Sequence, residues 1–105
     1  MMQITKPNIE SFKIHYASDL DPITVFLQEE EKGHGRLTIA CFSESWTYYW
    51  SGLGDRTLKL FLKEADVGYL VDKLSKPKDK AKEIIYLSKI VEAIKESLLS
   101  FELNY

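Results

Sequence analysis

The chain has 105 residues, a length that fits one domain. Hydrophobic residues make up 45% and charged residues 29% of it, which is typical of a folded domain and excludes disordered and fibrous classes. The net charge of −2 argues against a strongly basic nucleic-acid-binding protein, although residues 1–55 carry −4 and residues 56–105 carry +2.

Alternating apolar and polar residues in the first half of the chain predict β-strands. The pattern covers residues 9–16, 23–27 and 36–42, and turn-forming residues separate these segments. Residues 45–50 can form a fourth strand. The residues predicted to face the core from the first three strands are Phe12, Ile14, Tyr16, Ile23, Val25, Leu27, Leu37, Ile39 and Cys41.

The second half of the chain has the three- and four-residue spacing of helices. After a glycine-rich break at residues 52–54, Asp55 is the predicted N-cap of a first helix and Asp66 that of a second, because a carboxylate can accept free backbone N–H groups. A third helix follows a polar connector. Its wide apolar stripe comprises Ile84, Ile85, Leu87, Ile90, Val91, Ile94, Leu98, Leu99 and Phe101.

Strands followed by helices predict an α+β fold rather than repeated βαβ units. We expect a single domain over residues 1–105 that is strand-rich over 1–52 and helical over 55–105. In this fold a three- or four-stranded antiparallel sheet is followed by two or three helices packed on one face.

The sequence contains no recognisable catalytic signature. Cys41 can act as a nucleophile with His15 or His34 as base, but it alternates in phase with apolar residues, where a thiol packs as a small hydrophobe. Asp19 and Asp21 can form an acid–base pair, but a turn is the simpler interpretation beside a proline. A single cysteine excludes an internal disulfide and a multi-cysteine zinc site. We therefore expect a protein that is not an enzyme and uses neither a cofactor nor a metal.

An aromatic segment supplies the first candidate binding residues: Trp46, Tyr48, Tyr49 and Trp50. Exposed Trp and Tyr side chains offer a large contact area at low entropic cost. The alternative is that the two tryptophans fill the core, which we favour for them, while the tyrosines are divided between surface and core. Arg56, shortly after the segment, is a further candidate.

A lysine-rich connector supplies the second set of candidate binding residues: Lys76, Lys78 and Lys80. Its local excess of positive charge can attract nucleic acid or an acidic protein. A solvated linker is the simpler alternative.

The beginning of the chain lacks the basic and apolar regions of a signal peptide, and no apolar run approaches the ~20 residues that span a bilayer. We therefore expect a cytoplasmic protein without a membrane partner.

Scattered residues over most of the chain carry a family resemblance. They include the segments 21–25, 35–39, 45–46, 49–50 and 54–57. In these positions the chain resembles a group of small bacteriophage and prophage proteins. The resemblance implies a phage origin, and small phage proteins without a catalytic signature often bind and block a host protein.

Our leading hypothesis is a non-enzymatic phage protein that binds a host protein complex in the host cytoplasm. A more specific version of this hypothesis is that the protein inhibits a bacterial defence system, as an anti-CRISPR protein does. The alternative is a nucleic-acid-binding accessory protein that uses the lysine-rich connector and Tyr48 or Tyr49. A homodimer is compatible with either, and Phe26, Ala40 and Phe42 are its candidate contact residues.

Overall fold

A computed structural model describes residues 1–17 and 19–103, with side chains up to residue 100. Four strands are followed by three helices, which confirms the predicted α+β arrangement. The elements are β1 (Asn8–Ile14), β2 (Ile23–Glu29), β3 (Gly35–Cys41), β4 (Glu44–Trp50), α1 (Leu58–Glu64), α2 (Val67–Leu74) and α3 (Ala81–Leu103).

The strands form one antiparallel sheet in the order β1-β2-β3-β4. Because side chains alternate between the faces of a strand, the register fixes which residues share a face. One row across the three last strands joins Leu27, Leu37 and Tyr48, and these point toward the helices. The inward side is therefore the apolar side predicted from the alternating pattern.

The helices cover this inward side and bury one continuous core. Gly35 allows α1 to approach β3 closely, since a Cβ at this position would lie 2.9 Å from Cβ of Leu58. Cys41 is buried in the core, as its strand phase predicts. The buried residues are Ile23, Val25, Leu27, Leu37, Ile39, Cys41, Trp46, Trp50, Leu53, Leu58, Leu62, Leu70, Val71, Leu74, Leu87, Ile90, Val91, Ile94 and Leu98.

The first helix begins later than predicted. Its N-cap is Thr57, whose Oγ1 accepts the backbone N–H of Leu60 at 3.1 Å, and the predicted cap Asp55 instead forms an exposed ion pair with Lys32. The helix start is also held by Glu29 at the end of β2, because its carboxylate accepts N–H groups of the first turn. Asp66 is the N-cap of α2 as predicted, although its side chain makes no capping hydrogen bond.

Two aromatic residues predicted to lie in strands lie in turns instead. Tyr16 follows the end of β1 with a φ of 62° and is exposed, so it does not join the core. Phe42 follows β3 in a two-residue turn with a φ of 55°. Both backbones adopt the left-handed conformation, which cannot continue a strand.

The apolar stripe of α3 is narrower than predicted. Ile85 and Leu99 are exposed, because the sheet and the other helices cover only one side of α3. The side chain of Phe101 lies outside the described residues.

Helices α1 and α3 are joined by Lys95. Its ammonium group donates hydrogen bonds to the backbone carbonyls of Leu62 at 3.0 Å and Lys63 at 2.9 Å, and also to that of Ala65. These carbonyls lie at the C-terminus of α1, where they have no partner within the helix. The lysine therefore completes the end of α1 from the neighbouring helix.

Candidate functional site

The aromatic segment is divided between the two faces of β4. Trp46, Tyr48 and Trp50 point toward the helices, whereas Tyr49 points to the uncovered side of the sheet. The two tryptophans are 7% and 6% exposed and belong to the core, which is the interpretation that we favoured for them. They leave almost no surface for a partner.

Around Trp50 the inward aromatic rings form a packed cluster. Its ring centroid lies 4.8 Å from that of Tyr48 and 5.4 Å from that of Phe61, and its Nε1 donates a hydrogen bond of 3.0 Å to Oη of Tyr69. Tilted ring pairs at these distances are favourable. The cluster anchors α1 and α2 to β4, so its first effect is on the fold.

Arg56 lines a cleft that lies beside this cluster. The cleft has a volume of about 630 Å³. Its guanidinium group lies 5.0 Å from the ring centroid of Phe61 and 3.5 Å from the Glu64 carboxylate. Its Nε donates to the carbonyl of Leu53. The charge of Arg56 is thus already paired within the chain.

The opposite side of the sheet, which we call the open face, has no helix on it in the described part of the chain. Three rows of four side chains form it, according to the strand register. Its residues are Ile9, Gln28, Arg36 and Tyr49 in the first row, Ser11, Phe26, Thr38 and Thr47 in the second, and Lys13, Thr24, Ala40 and Ser45 in the third.

None of these open-face side chains is a carboxylate, although the first half of the chain is acidic. The acidic strand residues point inward instead: Glu10 pairs with Lys59, Glu29 caps α1, and Glu44 pairs with Lys76. Arg36 and Lys13 remain as the charged groups of the open face. The rows of the open face thus carry two positive charges, while at their edge the Glu30 carboxylate accepts a hydrogen bond of 2.7 Å from Gln28.

Tyr49 is held in place on the open face. Its hydroxyl lies 2.8 Å from Nδ1 of His34, and the guanidinium carbon of Arg36 lies 5.3 Å from its ring centroid. The ring is still 39% exposed, and Phe26 in the neighbouring row is 36% exposed. A fixed and partly exposed aromatic ring loses little entropy when a partner binds.

The three candidate lysines of the connector do not act together. Lys76 pairs with Glu44 at 3.1 Å, and its ammonium group lies 5.5 Å from the ring of Trp46. Lys76 and Lys78 line a cleft that does not include Lys80, which lies at the start of α3. The candidate residues other than Lys80 therefore fall into three places: the open face, the aromatic cluster and this second cleft.

A comparison with protein families shows to which family the chain belongs. The model of a family described as "Phage family" matches residues 2–102, which is nearly the whole chain and includes every strand. The chain belongs to this phage family. No curated protein and no solved structure matches this phage protein.

Sequence reasoning missed several residues of the second cleft in the phage protein. It lies between the β3–β4 turn, the connector and the first half of α3, and has a volume of about 840 Å³. Phe42, Ile85 and Tyr86 line it together with Lys82 and Lys89. No sequence signal marks Ile85 as a cleft residue, since its apolar side chain fits the predicted stripe of α3.

Tyr86 joins the floor of this cleft to the sheet. Its hydroxyl donates to the Asp21 carboxylate at 3.1 Å and lies 3.8 Å from Sγ of Cys41. Burial, with a further contribution from the hydrogen bond to Cys41, raises the pKa of Tyr86 to about 12. The phenol therefore keeps its proton at neutral pH and stays a hydrogen-bond donor.

Within residues 1–17 and 19–103, no group of three His, Cys, Asp or Glu residues is placed to hold a metal ion. None of the helices in the described part of the chain is long and apolar enough to cross a bilayer.

Proposed function

We propose that this phage protein is a non-enzymatic binding protein that contacts a host protein through its open face, in the host cytoplasm. The observation that carries the proposal is a carboxylate-free face on which Tyr49 is fixed by His34 and Arg36. Aromatic residues and arginine are enriched at protein interfaces, and acidic residues are depleted from their centre.

The dimensions of the open face support a protein partner. Four strands about 4.8 Å apart and seven residues long give a surface of roughly 20 Å on each side. This accommodates the central part of a standard interface, which buries about 800 Å² per partner.

The charges of the open face indicate what the partner offers. Arg36 and Lys13 face outward without a neighbouring open-face carboxylate, so the partner surface is expected to carry acidic groups around an apolar centre. We further propose that the partner belongs to a bacterial defence complex and that binding blocks it, as an anti-CRISPR protein does. Membership of a phage family supports this more specific form.

A single carboxylate placed on the open face tests the binding proposal. Thr47→Glu puts it beside Arg36, whose Nη1 lies 3.5 Å from Oγ1 of Thr47, and so cancels that positive charge. The matched control is Thr5→Glu, an exposed position before β1. Tagged wild type and both variants are used to purify host proteins at physiological salt.

We expect a host protein to be retained by the wild type and by Thr5→Glu, and to be lost with Thr47→Glu. Equal retention by all three proteins would overturn the use of the open face. A plating assay on a host with an active defence system then tests whether the protein inhibits that system. The wild type and Thr5→Glu should protect the phage, and Thr47→Glu should not.

A nucleic-acid partner is the second candidate, favoured by two exposed aromatic rings on a sheet face whose rows carry two positive charges. Phe26 and Tyr49 are placed where bases can stack, and Arg36 can contact a phosphate. This candidate predicts binding of a single-stranded oligonucleotide that weakens steeply between about 50 and 200 mM salt. Absence of binding at the lower salt concentration would exclude it.

A second copy of the chain is the third candidate partner for the open face. Two of the predicted dimer contact residues, Phe26 and Ala40, lie on this face. Phe42 lies away from them in the β3–β4 turn. A light-scattering mass that is the same for the wild type and for Thr47→Glu is the result that the host-protein proposal requires. A mass of two chains that returns to one in Thr47→Glu would assign the open face to self-association.

A further inference from the structure

Strand β4 lies at an edge of the sheet, so one side of its backbone has no neighbouring strand. The β2–β3 turn shows which residues are on that side. The backbone N–H of Glu30 donates to the carbonyl of His34 at 3.1 Å, so the even-numbered residues of β3 bond to β2 and the odd-numbered ones bond to β4. In the β3–β4 register their partners are the even-numbered residues of β4. Ser45, Thr47 and Tyr49 therefore direct their backbone N–H and C=O groups outward.

The outward backbone groups of these three residues have no hydrogen-bond partner in the described part of the chain. All three residues are exposed. A row of N–H and C=O groups at this spacing is complementary to another extended chain, which supplies the same groups in the same alternation. The backbone of the β4 edge thus selects an extended protein segment, whatever charge that segment carries.

The other edge of the sheet, β1, is protected against such pairing, whereas the β4 edge is not. Proline, lysine and inward-pointing charges are the usual protection of a sheet edge. Pro7 directly precedes β1, Lys13 lies within it, and Glu10 points inward and pairs with Lys59. β4 contains neither proline nor lysine, and only Glu44 beside the turn is charged. The other β4 residues are serine, threonine and aromatic residues, and threonine and the aromatic ones favour strand pairing.

Helix α2 limits what can approach the β4 edge. Oη of Tyr69 accepts the hydrogen bond from Nε1 of Trp50, and the ammonium group of Lys73 lies 5.9 Å from the ring centroid of Tyr48, so α2 lies above β4. Two copies paired through β4 would place their α2 helices on the same side of the joined sheet, about as far apart as the two strands, roughly 5 Å. Packed helices need about 8–10 Å. A strand without a covering helix fits this edge, and a second copy of the chain does not.

The cleft beside the aromatic cluster opens at the same edge. Its lining includes the three consecutive strand residues 48–50, together with one aromatic ring from each of α1 and α2. Of its charged groups, Arg56 pairs with Glu64, and Asp66 is the N-cap of α2. A strand paired with β4 therefore places an inward side chain against aromatic rings, and we expect this side chain to be apolar.

We propose that the edge of β4 binds an extended segment of a host protein as a fifth strand, through the outward N–H and C=O groups of Ser45, Thr47 and Tyr49. Backbone pairing supplies the affinity, and the cleft selects an apolar side chain. The inference rests on the proposed function, because the side chains of the same three residues belong to the open face and the segment belongs to the protein that covers it.

The probe is a displayed library of random ten-residue peptides, selected on the immobilised protein at physiological salt. Enriched peptides are synthesised with a fluorescein label, and their binding is measured by anisotropy. Each is also made in two N-methylated forms, which lack the N–H groups of every second residue in one phase or in the other. We expect one form to bind at least about tenfold more weakly and the other to bind within about threefold of the parent, because only one phase donates to β4.

Three substitutions at position 47 separate the backbone from the side chain. Thr47→Pro removes the outward N–H, which an edge strand tolerates, and should weaken peptide binding at least about tenfold. Thr47→Val keeps this N–H and the shape of the side chain, and should bind within about twofold of the wild type. Thr47→Glu, which tests the open face, also keeps the N–H and should bind the peptide within about threefold. In the host-protein purification, retention should be lost with Thr47→Pro and kept with Thr47→Val.

No enrichment of peptides, equal binding of the two N-methylated forms, or equal binding to Thr47→Pro and Thr47→Val would overturn the inference. A light-scattering mass of two chains that returns to one in Thr47→Pro would assign the edge to a second copy instead. Retention of the host protein by Thr47→Pro together with its loss in Thr47→Glu would overturn the inference and leave the proposed function intact. Peptide binding with the expected N–H pattern but without a retained host protein would support the strand site and overturn the proposed function.

Discussion

The hydroxyl of Tyr49 lies 2.8 Å from Nδ1 of His34, and this contact fixes an aromatic ring on the open face of the sheet. His34 belongs to the loop between β2 and β3, so the contact also joins that loop to β4. The ring is therefore in place before a partner arrives, and binding does not have to order it.

Removing the Tyr49 side chain should weaken binding without unfolding the protein. We expect Tyr49→Ala to reduce retention of the host protein at least about fivefold, as a hot-spot tyrosine does, and to lower the free energy of unfolding by at most about 1 kcal/mol. Tyr16→Ala is the control, because Tyr16 is exposed and belongs to none of the three rows of the open face. Unchanged retention in Tyr49→Ala would remove this residue from the contact surface.

Lys95 should be the lysine whose loss destabilises the fold most clearly. Lys95→Met keeps the aliphatic length but leaves the carbonyls at the end of α1 without their donor, so we expect a loss of about 1–3 kcal/mol in the free energy of unfolding. Urea denaturation measures it. Lys89→Met on the exposed side of α3 should change stability by less than about 0.5 kcal/mol, and equal effects of both variants would contradict the capping role.

Glu29 should stabilise α1 although it belongs to β2. Its carboxylate oxygens lie 3.0 Å from the backbone nitrogen of Leu58 and 3.3 Å from that of Lys59. Glu29→Gln removes the negative charge at the helix start, and we expect the free energy of unfolding to fall by about 1 kcal/mol. The adjacent Glu30→Gln is the control in the same urea experiment. A larger effect at position 30 would contradict this assignment.

Tyr86 should make the fold sensitive to alkali. Its pKa is about 12 in the folded chain and about 10 in an unfolded one. A folded-state pKa that is raised gives stability that is complete below about pH 10 and is lost as the pH rises toward 12.

Chemical denaturation between pH 9 and 12 measures this loss, and Tyr86→Phe should show a shallower decline than the wild type. Tyr16→Phe, at an exposed position, should follow the wild type. A Tyr86→Phe profile parallel to that of the wild type would contradict the contribution of this phenol.

The order of the elements could be predicted from the sequence because it depends on local periodicity. Alternation identified the strands, and helical spacing identified α1 to α3. The position of the first N-cap could not be predicted, since the choice of Thr57 over Asp55 is reinforced by Glu29 from a distant strand. Ile85 was assigned to the buried stripe because periodicity does not say how far neighbouring elements extend around a helix.

The candidate site could be predicted only in part. Alternation alone separates Tyr49 from its neighbours Tyr48 and Trp50, and this places it on the open face. The absence of carboxylates from that face depends on register and on long-range pairs such as Glu44 with Lys76. The second cleft depends on the distance between a turn, a connector and a helix, which local pattern does not encode.

Photo-crosslinking from the open face during infection tests the central claim most directly. A benzophenone-bearing residue is introduced at Phe26 on the open face or, as a control, at Leu60, which is a similarly exposed apolar residue on α1. We predict that one host protein is crosslinked from position 26 and not from position 60, and that Thr47→Glu abolishes the product. Crosslinking of the same protein from position 60 alone, or of a second copy of the phage protein alone from position 26, would contradict the proposed function.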